Sequence, residues 1–264
     1  MDSYKRAIIR KPGKNFVNAL SQNPNHEKPD YAKALEEFHH YANTLEQMGL
    51  EVCICDPDES FTDGNFVEDT HLILDKTMII ELNPGAPSRA NEPMSLAPFL
   101  PKDIPKHILS KKFSIDGGDI LRDGKILYVG LSTRTQQGAV DELSKMVTPL
   151  GYQVYPIHVP EGLHLKSGMT CLLPNHFVIQ AAFENILKEM QATNNQITYF
   201  VVPPEENFAA NVLPINGKIM IPTECPKTKD YIAKYYPPED IFQTDTKQAR
   251  LVDGALTCSS LLFR

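Results

Sequence analysis

The chain has 264 residues, 22% of them charged and 42% hydrophobic, with a formal net charge of −7. That length supports one large domain or two small ones with a sizeable core. The mild acidity points away from nucleic acid or another polyanion as partner, and no stretch nears the ~18 apolar residues of a membrane span.

Five cysteines argue against a disulfide framework and for a reducing cytoplasm. Residues 1–6 run into a strand-like segment without an apolar signal region, so secretion is not expected. Prolines number 21 against 14 glycines. They fall between apolar runs, as punctuation for many short elements.

In chain order, Ala7-Ile8-Ile9 reads as a strand. Tyr31, Leu35, Phe38, Ala42, Leu45 and Met48 then share one helical face, with Asp30 at the N-cap and Gly49 past the end. Residues 50–55 read as the strand that follows. Four hairpins come next. The first pairs Leu72-Ile73-Leu74 with Met78-Ile79-Ile80 around Asp75-Lys76-Thr77. The second turns at Asp123-Gly124, the third at Pro174-Asn175-His176 and the fourth at Asn216-Gly217. Between the later hairpins lie a helix carrying Val140, Leu143 and Val147 and a strand from Tyr152, then a helix carrying Phe183, Ile186, Leu187 and Met190 and a strand at 197–202. A short helix with Tyr231, Ile232 and Tyr235 stops at Pro237-Pro238. At the C-terminus, Ala255-Leu256-Thr257-Cys258 and Leu261-Leu262-Phe263 both look like strand.

The turns recur about every 40–50 residues. Hairpins alternate with helices too regularly for an open βαβ sheet. The expectation is α/β: about five ββαβ units closed into a ring with pseudo-fivefold symmetry, the fifth shared by the two chain ends, and 1–264 as a single domain.

In such a ring the residues just before each hairpin gather near the axis. Here they are polar: Glu68-Asp69, Asp116-Gly117-Gly118-Asp119, His164-Leu165-Lys166-Ser167, Ala210-Asn211 and Asp253-Gly254-Ala255-Leu256-Thr257-Cys258. Singly, Cys258 could be an inert buried thiol, His164 a loop histidine and Glu68-Asp69 a solvated turn. Together they are the inventory of a thiol nucleophile with a base and an anionic pocket. Cys53 and Cys55 have no completing His/Cys pair for zinc, Cys171 and Cys225 have no partner by spacing, and His39-His40 lies off the apolar face. No phosphate-cradling glycine motif is present.

Six segments resemble the motifs of dimethylarginine dimethylaminohydrolases, in order and along nearly the whole chain. They are Phe66-Val67-Glu68-Asp69-Thr70, Pro84-Gly85-Ala86-Pro87-Ser88-Arg89, Asp116-Gly117-Gly118-Asp119, Gly130-Leu131-Ser132-Thr133-Arg134-Thr135, Gly162-Leu163-His164-Leu165-Lys166-Ser167 and Val252-Asp253-Gly254-Ala255-Leu256-Thr257-Cys258-Ser259. That family belongs to the guanidino-group modifying (pentein) superfamily, so the resemblance implies a five-bladed α/β propeller.

It also implies roles. Cys258 resembles the nucleophile, His164 the acid/base and Asp116 the carboxylate that orients it. Glu68 and Asp69 resemble the acids that hold the guanidinium. Asp63 and the Val252 carbonyl resemble contacts to the substrate's α-amine, and Arg89 and Arg134 a clamp on its α-carboxylate. Leu20 resembles the tip of a lid, with Asp253 and Ser167 beside the pocket. Gly64-Asn65 departs from the family's apolar lead-in, and Ser259 stands where some animal members carry a second cysteine.

The implied activity is hydrolysis of N-omega-methylated arginines to citrulline and a methylamine. It needs no metal or organic cofactor, and the chain would act in the cytoplasm as a monomer or homodimer. The alternatives are an arginine deiminase-like enzyme, an amidinotransferase and a non-catalytic binding propeller.

Overall fold

The computed structural model describes residues 3–22, 27–74 and 76–264. Asp75, assigned above to the first hairpin turn, lies outside the described residues. Among the described residues, fifteen strands form five three-stranded sheets. The first joins both ends of the chain: β1 (Arg6–Arg10) pairs antiparallel with β15 (Leu261–Phe263) and parallel with β2 (Glu51–Cys55). Its crossover helix is α1 (Tyr31–Gln47). The second has β3 (His71–Leu74), β4 (Met78–Glu81) and β5 (Lys106–Ile108), and the third β6 (Ile120–Asp123), β7 (Ile126–Leu131) and β8 (Gln153–His158). The fourth has β9 (Met169–Leu173), β10 (His176–Ile179) and β11 (Thr198–Val201), and the fifth β12 (Leu213–Ile215), β13 (Lys218–Pro222) and β14 (Ile241–Thr244).

The other four sheets repeat one rule. A hairpin supplies an antiparallel pair, and a helical crossover brings the third strand in parallel to the hairpin's second. The crossovers are α2 (Glu92–Leu96), α3 (Gln137–Val147), α5 (Glu184–Thr193) and α6 (Pro226–Ile232), while α4 (Leu165–Gly168) precedes β9 and α7 (Lys247–Arg250) follows β14. The expected ββαβ ring is therefore the fold.

Turn chemistry sets the hairpins. Asn216 (φ 54) and Gly217 (φ 82) both take left-handed backbone, the pairing a two-residue turn requires. In α1 the Asp30 side chain accepts from Lys33 N at 3.1 Å, the expected cap. The buried face of α1 is turned slightly from the expected stripe: Tyr31 and Leu35 are only half-buried, whereas Ala34 and Tyr41 are inside.

The core is divided among the seams between sheets. Leu74 and Ile80 of the second meet Leu127 and Val129 of the third. Tyr128 of the third meets Phe177 of the fourth, Val178 of the fourth meets Ile219 of the fifth, and Met220 of the fifth meets Ile9 of the first. Ile8 of the first closes the circle on Ile79 of the second. Each sheet is thus apolar on both faces, and its burial depends on two neighbours.

A short helical segment precedes the first strand of every sheet: Val67–Thr70, Gly117–Asp119, α4, Pro204–Ala210 (kinked at Glu206) and Thr257–Ser259. Neighbouring turns pack on one another, and Asn211 bonds Thr257, so the five encircle the axis. One expectation fails here. Residues 255–258 are not strand: Thr257–Ser259 form a helical turn, the chain being held into it by Gly254 N donating to Ala249 O at 2.8 Å and Thr257 N to the distant Asn211 Oδ1 at 3.1 Å, and β15 starts at Leu261.

Tyr41 ties α1 to this turn. Its hydroxyl reaches Leu256 O (2.9 Å) and Ser260 Oγ (2.8 Å). Tyr41→Phe leaves a buried carbonyl and hydroxyl without that partner, so denaturant unfolding is expected to show a loss of about 1–3 kcal/mol.

Candidate active site

Asp116 sits immediately before the second axial turn and is fully buried. Its Oδ1 accepts from Gly85 N (2.6 Å), and its Oδ2 lies 2.9 Å from His164 Nε2. His164 is the residue before α4, and Ser167 Oγ accepts from its backbone N at 3.3 Å. Gly118 makes room for the imidazole, since a Cβ there would stand 2.5 Å from His164 Nδ1. Burial opposes charge on His164, but Asp69 and the bond to Asp116 outweigh it and raise its pKa to about 9.

The two adjacent acids before β3 have different partners. Asp69 accepts from Arg89 Nη1 (2.5 Å) and Gly118 N (2.7 Å). Burial opposes its charge, yet His164 and Arg89 pull its pKa down to about 2. Glu68 makes an ion pair with Lys166 and accepts from Thr257 Oγ1 at 3.0 Å. Burial leaves its pKa raised, partly offset by Lys166. Behind Glu68 and Lys166, on the other face of the ring, opens a chamber of about 730 Å³.

Cys258, in the last axial turn, is half-buried against the cluster of Phe16, Phe66 and Val252. Burial, with Glu68 and Asp69 nearby, pushes its thiol up to about 12. The other four cysteines are also free, and His39 and His40 are exposed.

Asp63 accepts from Leu20 N at 3.1 Å, and Asp253 from Gln22 N at 2.5 Å. The described residues after β1 are thereby held to both loops, and Leu20 among them is exposed. Val252 lies beside Phe16 and Ala19.

The two arginines differ. Arg89 is buried and committed: Nε and Nη2 grip Glu92 at 2.7–3.1 Å, Nη2 also reaches Phe66 O, and Nη1 holds Asp69. Arg134 is half-buried, 3.5 Å from Asp116 Oδ2, and its Nη1 has no hydrogen-bond partner among the described residues. Of the two, Arg134 has the donor to offer a ligand.

Asp69, Asp116 and His164 bring ligand-capable atoms within 4.8 Å of one another. A cation there competes with Arg89 and Arg134, which already neutralise the acids.

Sequence reasoning did not single out Lys166, Glu92 or Asp119. Lys166 and Asp119 lie inside quoted motifs, and their neighbours His164 and Asp116 were the available signal. Glu92 had none.

The elevated His164 pKa has a sign. The folded state binds its proton more tightly than the unfolded state does, so this stabilisation is complete below pH ~6.5 and disappears as pH rises through about 9. Unfolding free energy is expected to fall across that window. A curve flat over it contradicts the pairing.

A family model for N,N dimethylarginine dimethylhydrolase, eukaryotic, matches residues 12–226. A dimethylarginine dimethylaminohydrolase of Pseudomonas aeruginosa is 31% identical over 98% of this chain and 100% of its own. One of Streptomyces coelicolor is 28% identical over 98% and 97%. A solved structure of the P. aeruginosa enzyme, a cysteine-to-serine variant complexed with citrulline, superposes with a TM-score of 0.92 over 99% of this chain and all of that one, at 28% identity. The N-terminal domain of a cyanobacterial arginine dihydrolase shares the fold, with a TM-score of 0.83 at 18% identity over 97% of each chain. Among the described residues no helix is long and apolar enough to cross a membrane. The matched motifs, the axial Cys258, His164 and paired acids, and the full-length likeness agree: this chain belongs to the dimethylarginine dimethylaminohydrolase family.

Proposed function

We propose that this chain hydrolyses N-omega-methylated arginines, asymmetric dimethylarginine and monomethylarginine, to citrulline plus dimethylamine or methylamine. The observation that carries this is the convergence on one axis of a half-buried thiol, a His164–Asp116 pair, the buried Asp69 and the half-buried Glu68, within a family whose relatives carry that activity in their names.

A guanidinium is planar, cationic and a poor electrophile, with N–H groups set for carboxylates. Asp69, held ionised by Arg89, and Glu68 keep it charged and oriented. The Cys258 thiol at about 12 stays protonated in the empty site. A cation bound between it and the acids supplies the opposite charge that favours the thiolate, so ionisation is substrate-assisted, with the thiol proton released to solvent.

The Cys258 sulfur adds to the guanidinium carbon. Protonated His164, held by Asp116, gives its proton to the alkylated nitrogen. The C–N bond breaks, the amine leaves, and an S-alkylthiouronium remains on Cys258. Water then adds as His164 takes a proton. The C–S bond breaks with its electrons returning to sulfur, and citrulline is released. Arg134 receives the α-carboxylate. Asp63 and the Val252 carbonyl receive the α-amine under Leu20, with Asp253 and Ser167 shaping the rim. Arg89 works by holding Asp69. No metal or organic cofactor takes part. Residues 1–264 act as one domain, as a monomer or homodimer, in the cytoplasm, where five free thiols are at home.

The test is incubation with arginine, monomethylarginine and asymmetric dimethylarginine, with citrulline and the released amine measured. The methylated substrates turn over and Cys258→Ser abolishes the reaction; ammonia released from arginine alone contradicts the reading. Arg134→Ala raises KM by roughly tenfold or more with kcat little changed. Thiolate absorbance is expected to appear at lower pH when a guanidino ligand binds. An unmoved thiol titration rules out substrate assistance.

A further inference from the structure

Three functional loops end on one carboxylate that no step above uses. Asp119 closes the second axial turn and is fully buried. Its Oδ2 accepts from both Ser132 Oγ and Thr135 Oγ1 at 2.7 Å, and its Oδ1 accepts from Leu165 N at 2.8 Å. Each donor leads onward. Thr135 Oγ1 accepts from the backbone N of Asp116 at 3.1 Å. Ser132 Oγ accepts from the backbone N of Arg134 at 3.0 Å. Leu165 is the residue after His164. The packing allows little slack, since a Cβ on Gly130 would stand 2.5 Å from Asp119 Oδ1.

The direction of these bonds carries the argument. An ionised carboxylate only accepts, so both hydroxyls spend their protons on Asp119 and must present lone pairs to the amides of Asp116 and Arg134. No neutral isostere reproduces this. An amide with its NH₂ toward the hydroxyls opposes two groups already turned to donate, and the flipped amide sets NH₂ against Leu165 N–H. Either way one buried donor faces another.

We infer that Asp119 is a positioning residue for the reaction, fixing Asp116, His164 and Arg134 relative to one another through Thr135, Leu165 and Ser132. It also adds negative charge beside His164, whose other charged neighbours are Asp69 and Asp116, themselves paired with Arg89 and Arg134. The assignment rests on the hydrolytic reading for its kinetic part, and on the buried hydrogen-bond network and the charge of Asp119 beside His164 for its titration part.

The experiment follows the His164 imidazole by NMR in the free enzyme, in wild type and in Asp119→Asn, and then measures turnover of asymmetric dimethylarginine. The His164 midpoint, about 9 in the wild type, is expected to fall by roughly one pH unit in Asp119→Asn, with kcat lowered roughly 10–100-fold. The arms separate the loops: Thr135→Val lowers kcat, and Ser132→Ala chiefly raises KM, each by roughly tenfold. A folded Asp119→Asn protein with an unmoved His164 midpoint overturns the inference. If Asp119→Asn does not fold, the two hydroxyl variants decide, and wild-type kinetics in both overturn it. Wild-type protein inert toward methylarginines while the midpoint still shifts overturns the proposed function and leaves the positioning role standing.

Discussion

Four carboxylates crowd the axis of this ring, and their mutual repulsion and lost hydration are what the surrounding structure has to offset. An unpaired ionised group in such a place is prohibitively unstable, and leaving one partnerless costs several kcal/mol. Each acid accordingly has its own compensation. Lys166 serves Glu68, Arg89 serves Asp69, His164 and Arg134 share Asp116, and two hydroxyls with a backbone N–H serve Asp119. Glu92 in turn holds Arg89 side-on, which leaves Nη1 for Asp69. The compensation is incomplete in one useful respect: burial and the facing acids keep Cys258 protonated until a cation arrives. On the proposed reading, the same negative field would draw in a guanidinium cation.

Ring closure makes this possible. The axial turns come from five sheets, and the apolar seams that hold each sheet in place lie between neighbours. The first sheet is completed by β15 pairing with β1. Cys258 lies a few residues before β15, so the seam that joins the chain ends also places that thiol. Tyr41 fastens Leu256 and Ser260, on either side of Cys258, to α1.

The repeat was legible in the sequence because hairpin turns and alternating apolar runs are local signals. Asn216-Gly217 announces its turn, and Asp30 its helix. The five residues of α2 are too few to show a helical period, so that crossover left no trace in the pattern. Residues 255–258 have strand-like side chains but are held by Ala249 and Asn211, which only the folded chain brings near. The acids, His164 and Cys258 could be found from their repeat positions. Their roles came from family resemblance, not from spacing. The cations that neutralise the acids were not legible, because Lys166 meets Glu68 only after two sheets have closed on the axis. Arg89 was expected to clamp a carboxylate, and a sequence cannot show that Glu92 and Asp69 already occupy it.

The central claim is that the axis performs covalent chemistry on a guanidinium carbon through Cys258. The most direct measurement is the intact and peptide mass of protein quenched in acid during turnover of asymmetric dimethylarginine. The account predicts a thiouronium adduct on the Cys258 peptide that is absent from Cys258→Ser. Steady turnover with Cys258 unmodified at every quench time would contradict it.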